Sequence, residues 1–308
     1  MSAQENTSPF QELPGIYEPS AIVQMADGRF LVLEDEVEHP FSLLSFKSDG
    51  SVRSEGLEPG LLNFFDNFWK LDDLEGIALD RAGYLYAITS HSRDGDGDEK
   101  KARDKLVRFR IDGDRVTDTC LAKGLKAALL AAHPVLATAA KLRDVKNEGG
   151  LNIEGLEISP DQQSLLIGLR SPLLDRRAII VCLENPAAVF DGADAPRISP
   201  ALQTLDLDGH GIRGLCFFTA LGGYLIISGP VARDTTHFQL WFWNGLPAAT
   251  ARRVTVPGLP GFEHAEGICP ARIDGEQKII IVSDDGDRKA RRCARYLLLD
   301  PAQLQIAA

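Results

Sequence analysis

Leu74–Ser90 reads LEGIALDRAGYLYAITS, Ile153–Ser171 reads IEGLEISPDQQSLLIGLRS, Ile212–Ser228 reads IRGLCFFTALGGYLIIS, and Ala265–Ser283 reads AEGICPARIDGEQKIIIVS. Pro19–Asp35 (PSAIVQMADGRFLVLED) fits the same frame, with Ser20 and Ala21 where the others carry Glu-Gly or Arg-Gly. With Ser20, Glu75, Glu154, Arg213 and Glu266 as equivalents, the steps are 55, 79, 59 and 53 residues. That is the scale of a four-stranded propeller blade of about 40–50 residues plus loops.

Each unit opens with a short apolar strand, turns at Asp-Gly, Ala-Gly or Gly-Gly, and continues as a β-rich strand such as Tyr84–Thr89 or Lys278–Val282. Third strands are expected at Phe41–Phe46, Leu106–Ile111, Ala178–Leu183, Phe238–Trp243 and Tyr296–Leu299, and fourth strands at Ser51–Gly56, Arg115–Leu121, Gln203–Leu207 and Arg252–Val256. The prediction is an all-β, five-bladed β-propeller forming one domain over 1–308, with room for a sixth small blade in Gly56–Asp73. Only Pro301–Ala308 follows the last unit, so the N-terminal residues are expected to lend its missing outer strand and close the ring. Ala122–Glu148 is rich in Ala and Leu and reads as a short helical insertion between blades 2 and 3, broken at Pro134.

The chain has 308 residues, of which 44% are hydrophobic and 25% charged. Its 33 Lys and Arg against 44 Asp and Glu give a net charge of −11. That balance argues against nucleic acid or an anionic membrane as partner. Met1–Phe10 lacks a basic and apolar leader pattern and no stretch has the length of a membrane span, so a cytoplasmic protein is expected. The five cysteines are odd in number and lack metal-ligand spacing, which points to reduced thiols.

In a propeller the first strand of each blade lines the channel, and its start shares a rim with the end of the second strand. Asn152, His210 and His264 come to that rim from strand starts; His91, Arg170 and Asp284 come from strand ends. The insertion emerges on the same face, where it would act as a lid. Glu is a poor strand former, so its recurrence beside Gly suggests that Glu75, Glu154 and Glu266 point into the channel. With Arg213 at the equivalent place, the ring carries −2. Two readings follow. Either a divalent cation, Ca²⁺ by preference, sits among Ser20, Glu75, Glu154 and Glu266, or Arg213 and Arg170 pair with the glutamates as a structural plug. The glycines after the ring residues are expected to let the sheets approach.

The loop Ser90–Lys101 (SHSRDGDGDEKK) resembles a calcium loop, but Lys105 stands where the bidentate Glu would be, and the context is strand-to-strand. His91 and His264 are the candidate acid–base residues. No nucleophile elbow, P-loop or dinucleotide fingerprint is present.

At DLEGIALD, SHSRDGDGDEKKARDKLVRFRI, NIEGLEISPD, IRGL and AEGI the chain resembles an uncharacterised bacterial family, the domain of unknown function numbered thirty-six sixteen, over roughly Pro19 to Asp300. That family supplies no established reaction. More distantly the Glu-Gly strands look like those of phytase-like and esterase-like propellers. A third resemblance is to the calcium-activated nucleotidases, which implies a calcium ring of Ser20, Glu75, Glu154 and Glu266 and departs at Arg213.

The expected function is binding of a small, phosphorylated ligand at the channel mouth, extending to metal-assisted hydrolysis of a phosphoric or other ester. Glu75, Glu154 and Glu266 would hold the cation, Arg170 or Arg213 the anion, with Asn152 and Asp284 beside them and His91 or His264 moving protons. The alternative is a non-catalytic scaffold for a protein partner, for which Phe64, Phe65, Phe68 and Trp69 offer an apolar cluster.

Overall fold

Every repeat forms an antiparallel sheet whose strands follow one another in chain order. The computed structural model describes residues 9–35, 40–47, 49–57, 67–232 and 237–308. Blade 1 is Pro19–Gln24, Phe30–Glu34, Phe41–Phe46 and Val52–Gly56. Blade 2 is Leu74–Leu79, Leu85–Thr89, Leu106–Asp112 and Arg115–Leu121. Blade 3 is Asn152–Ile158, Leu165–Ser171, Ala178–Leu183 and Gln203–Leu205. Blade 4 is Gly211–Phe218, Gly223–Gly229, Gln239–Trp243 and Arg252–Thr255. Blade 5 is Ala265–Ile273, Glu276–Ser283 and Arg295–Leu299. Inner strands of successive blades lie side by side, and that of blade 5 returns against that of blade 1. The protein is a five-bladed propeller. Of the segment suggested for a sixth blade, Asn67–Trp69 is a single 3₁₀ turn and 58–66 lie outside the described residues.

The N-terminal strand Gln11–Glu12 completes blade 5, pairing Gln11 with Tyr296 and Glu12 with Arg295. Leu13 and Ile16 just beyond it are fully buried. At the other terminus, Gln305–Ile306 adds a fifth strand to blade 4 by pairing with Val254 and Thr255.

The core is distributed over the five junctions between blades, one apolar cluster at each. A strand's side chains alternate between faces, so Ile279 and Ile281 join the cluster toward blade 4 while Ile280 and Val282 join the one toward blade 1. Sheets covered on both faces need continuous apolar runs such as FLVL and IIIV.

Between blades 2 and 3 the chain forms helices Leu125–Ala132, Pro134–Ala139 and Val145–Glu148. Pro134 starts the second helix from an extended His133, where proline's fixed φ and missing N–H cost nothing. Leu125, Leu129, Leu136 and Ala139 pack into the junction of blades 2 and 3. A fourth helix, Pro186–Asp191, was not expected from the sequence; it lies inside blade 3 and buries Val189 and Phe190 in the same junction. Among the described residues no helix is long and apolar enough to cross a membrane.

Candidate functional site

All five inner strands carry a register irregularity at the same place. In blade 2 Leu74 faces Thr89 and Gly76 faces Ile88, so Glu75 is the extra residue of a β-bulge. Ser20, Glu154, Arg213 and Glu266 occupy the same position in their strands. A bulge re-aims the side chain of the inserted residue, and here it turns these five to the wall of one cavity of about 880 Å³. The following glycines permit the close approach this requires. A Cβ on Gly214 would lie 2.1 Å from the Glu266 carbonyl oxygen, and one on Gly76 would lie 2.9 Å from the Leu156 Cβ.

Three of the five ring residues form one network. Arg213 donates from Nη1 to Glu154 at 2.6 Å and lies 2.6 Å from Glu266 through Nη2. Arg170 reaches Glu154 at 3.1 Å and the Pro230 carbonyl at 3.2 Å, while Asn152 Nδ2 donates to Glu154 at 2.8 Å. Burial raises the Glu154 pKa, but Arg213 and Arg170 outweigh it and hold the carboxyl below its usual range. Burial also pushes the Glu266 carboxyl up, opposed by Arg213 and reinforced by Asp284 and Glu154. Ser20 donates to the Leu74 carbonyl oxygen, tying blade 1 to blade 2.

Glu75 is different. It is 9% exposed, and among the described residues its carboxyl makes no hydrogen bond or ion pair. Burial lifts its pKa well above the ordinary value, and Glu154, Asp73, Glu266 and Asp35 add to the shift. A carboxyl so placed keeps its proton to a higher pH than an exposed one, and in that form it can donate a hydrogen bond.

The cavity gathers most of the residues singled out from the sequence: Ser20, Glu75, Asn152, Glu154, Arg170, Arg213, His264, Glu266 and Asp284 all line it. Asp284 is pushed up by burial against the pull of Arg213. His264 adopts a left-handed backbone at φ 62° and lies 5.9 Å from the Phe238 ring.

His91 departs from the expectation. Its side chain is fully buried off the cavity, with Nδ1 2.9 Å from the Thr89 carbonyl and Nε2 3.4 Å from Asp104. Burial lowers its pKa, and a positive φ of 56° turns it inward. This is a packing histidine rather than a proton carrier at the mouth. His39 lies outside the described residues.

Asp35, just after the second strand of blade 1, and Asp73, just before the first strand of blade 2, also line the cavity. Asp73 accepts from Ser90, from Ser92 at 3.1 Å and from Arg103 at 3.0 Å. Arg103 comes from the loop between the second and third strands, and no motif in the sequence pointed to it.

The donor set does not fit a calcium ring. The Arg213 guanidinium stands between Glu154 and Glu266, where a ring-held cation would sit, and Glu75 is left as a single carboxyl. Nor does the loop Ser90–Lys101 form a calcium site. Asp94 accepts from the backbone N–H groups of Asp96 and Asp98 and pairs with Lys100 at 2.9 Å. That loop packs instead on the helical insertion, with Arg93 donating to the Ala140 carbonyl at 3.1 Å and Arg143 to Asp98 at 3.0 Å. All five cysteines are free thiols.

A family model described as protein of unknown function (DUF3616) matches residues 122–300, which takes in the insertion, blades 3 and 4 and the chain's own strands of blade 5. The chain belongs to this family. Among curated proteins nothing matches the DUF3616 chain. Similar solved structures include the PQQ-bound aldose sugar dehydrogenase of Streptomyces coelicolor, 15% identical over 96% of this chain and 98% of that one, with a TM-score of 0.48. The PQQ domain of a pyranose dehydrogenase from Coprinopsis cinerea is 10% identical over 94% and 84%, at 0.43. A protein of unknown function from Bacteroides thetaiotaomicron is 9% identical over 94% and 72%, also at 0.43. At these identities and TM-scores they carry no argument about the chemistry of the DUF3616 cavity.

Proposed function

We propose that this DUF3616 protein binds a small polar ligand at the mouth of its central channel. The observation that carries the reading is Glu75, whose carboxyl lines the cavity and, among the described residues, has no hydrogen bond or ion pair. An unpaired buried polar group costs about 1–3 kcal/mol, and a structural channel would do as well with glutamine or leucine there. Asn152 Oδ1, also buried on the cavity wall, lacks a partner too. A volume of about 880 Å³ is within the range of small-molecule sites. The scaffold alternative has less support. Among the described residues Leu246 is the large apolar side chain left exposed, while Phe68 is fully buried and Trp69 packs against the junction of blades 1 and 2. Phe64 and Phe65 lie outside the described residues.

One observation favours a finer reading, hydrolysis of an ester in this cavity. Burial and the neighbouring carboxyls raise the Glu75 pKa, which suits it to give a proton to a leaving oxygen as general acid. Because Arg213 fills the centre of the ring, such a reaction would not use a calcium held there. Thermal-shift screening of small polar compounds against the wild type and Glu75→Gln tests the proposal. A compound that raises the melting temperature of the wild type and not of the variant is expected. A broad screen in which no compound separates the two proteins would overturn it. Hits that are esters are then assayed for product.

A further inference from the structure

We infer that the ligand of this cavity is a small organic polycation, a di- or polyamine whose ammonium groups supply counter-ions to Asp35, Glu75 and Asp284. This rests on the ligand-binding reading above and names its chemical class. These three carboxyls line the cavity and, among the described residues, none has a hydrogen bond or ion pair. The arginines on the same wall are already committed. Arg213 and Arg170 hold Glu154 and Glu266, and Arg103 holds Asp72 and Asp73 at 3.0 Å each. Arg93 and Arg143 are paired with Glu99 and Asp98. Lys146, on the insertion, also lines the cavity but is exposed to solvent. The deficit is therefore of positive charge, and it lies on one side, since Asp284, Asp35 and Glu75 belong to blades 5, 1 and 2, consecutive around the ring.

A single metal ion does not answer that deficit. Among the described residues no three His, Cys, Asp or Glu side chains converge closely enough to ligate one. Carboxyls spread over three blades match charges spread along a flexible chain. The orphaned acceptor agrees, because the Asn152 amide nitrogen is turned to Glu154 and its Oδ1 is left buried without a donor. An ammonium N–H is such a donor. Glu75 faces Glu154, Asp73, Glu266 and Asp35 with Arg213 beyond, and burial together with these carboxyls raises its pKa. Docking an ammonium favours the carboxylate, so binding releases a proton to solvent.

The test is isothermal calorimetry of putrescine and spermidine into the full-length protein, in two buffers of different ionisation enthalpy. Butanediol, succinate and Ca²⁺ are titrated alongside, and Glu75→Gln, Asp35→Asn and Asp284→Asn are each compared. Saturable amine binding is expected, with no heat from the diol. Each variant should weaken it by about tenfold or more, and proton release should fall in Glu75→Gln and in Asp35→Asn, since burial pushes the Asp35 carboxyl up to about 8. Amine binding of equal strength in all three variants would mean attraction to the net negative surface and would overturn the inference. Binding of the diol, succinate or Ca²⁺ that Glu75→Gln abolishes, without amine binding, would sink the polycation and leave the ligand-binding reading standing. Silence from every compound here, together with a failed thermal-shift screen, would remove both.

Discussion

Glu75 and Glu154 hold the same bulged position in neighbouring blades, and what surrounds them shifts their pKa values in opposite directions. Glu154 meets two guanidiniums and an amide, while Glu75 meets other carboxyls. Folding raises the Glu75 pKa above its ordinary 4.5, so the stability it permits is whole below that pH and is lost as pH rises toward the folded value. The wild type should therefore fall behind Glu75→Gln above pH 4.5, by up to about 1.4 kcal/mol per pH unit. Urea denaturation of both proteins across pH would show parallel curves if Glu75 were ionised in the fold. Arg213 is the converse case. Arg213→Met would strand Glu266 without a cation and leave Glu154 only Arg170, and removing one partner of a buried pair costs about 3–5 kcal/mol. Arg213→Lys should recover only part of that in equilibrium unfolding, since an ammonium lacks the fork that spans two carboxylates.

At the scale of the strand, the bulge and the glycine after it act together. The bulge takes the ring residue out of the ladder, and the glycine lets the next blade's backbone close in. Gly214→Ala, opposed by a carbonyl oxygen at 2.1 Å, should lower stability by about 3 kcal/mol. Gly155→Ala meets nothing nearer than the Ile212 Cγ2 at 3.1 Å, with the Gly168 Cα and Leu215 Cβ at 3.3 Å, and should cost less; thermal melts that rank the two in reverse would contradict this geometry. The blades were legible because apolar runs broken by Asp-Gly and Gly-Gly turns mark strands and hairpins whatever lies around them. The recurring Glu-Gly was likewise a readable sign of a special backbone. What the glutamates do was not readable, because the state of Glu75 depends on its burial and on Glu154, Glu266 and Asp35, all distant from it in the chain. His91 shows the same limit. Its place after a strand put it at the rim, but its ring is buried against the Thr89 carbonyl and Asp104, and no residue pattern announces that.

For the molecule as a whole, closure rests on the N-terminal strand. Removing residues 1–16 would strip blade 5 of its outer strand and take Leu13 and Ile16, both fully buried, from the junction of blades 5 and 1. Each loss is worth about 2–5 kcal/mol, so the truncated protein should melt far lower and bind nothing at the channel mouth, where blades 5 and 1 contribute Asp284 and Asp35. Removing residues 301–308 takes only the two-residue Gln305–Ile306 strand from the outside of blade 4. It should shift the melt by a few degrees and leave binding intact. Differential scanning calorimetry of the two truncations separates these cases. The pairing of residues near opposite ends also sets an order in time. The side-chain bond from Tyr296 to Gln11 spans 285 positions, whereas blades 1 to 4 can each form from neighbouring hairpins, and contacts so distant in the chain are slow to form. Folding on the ribosome should leave the leading segment waiting, unpaired, until the last blade has been synthesised. Its two-residue length suits that wait, since so short an edge gives a stray chain little to add to.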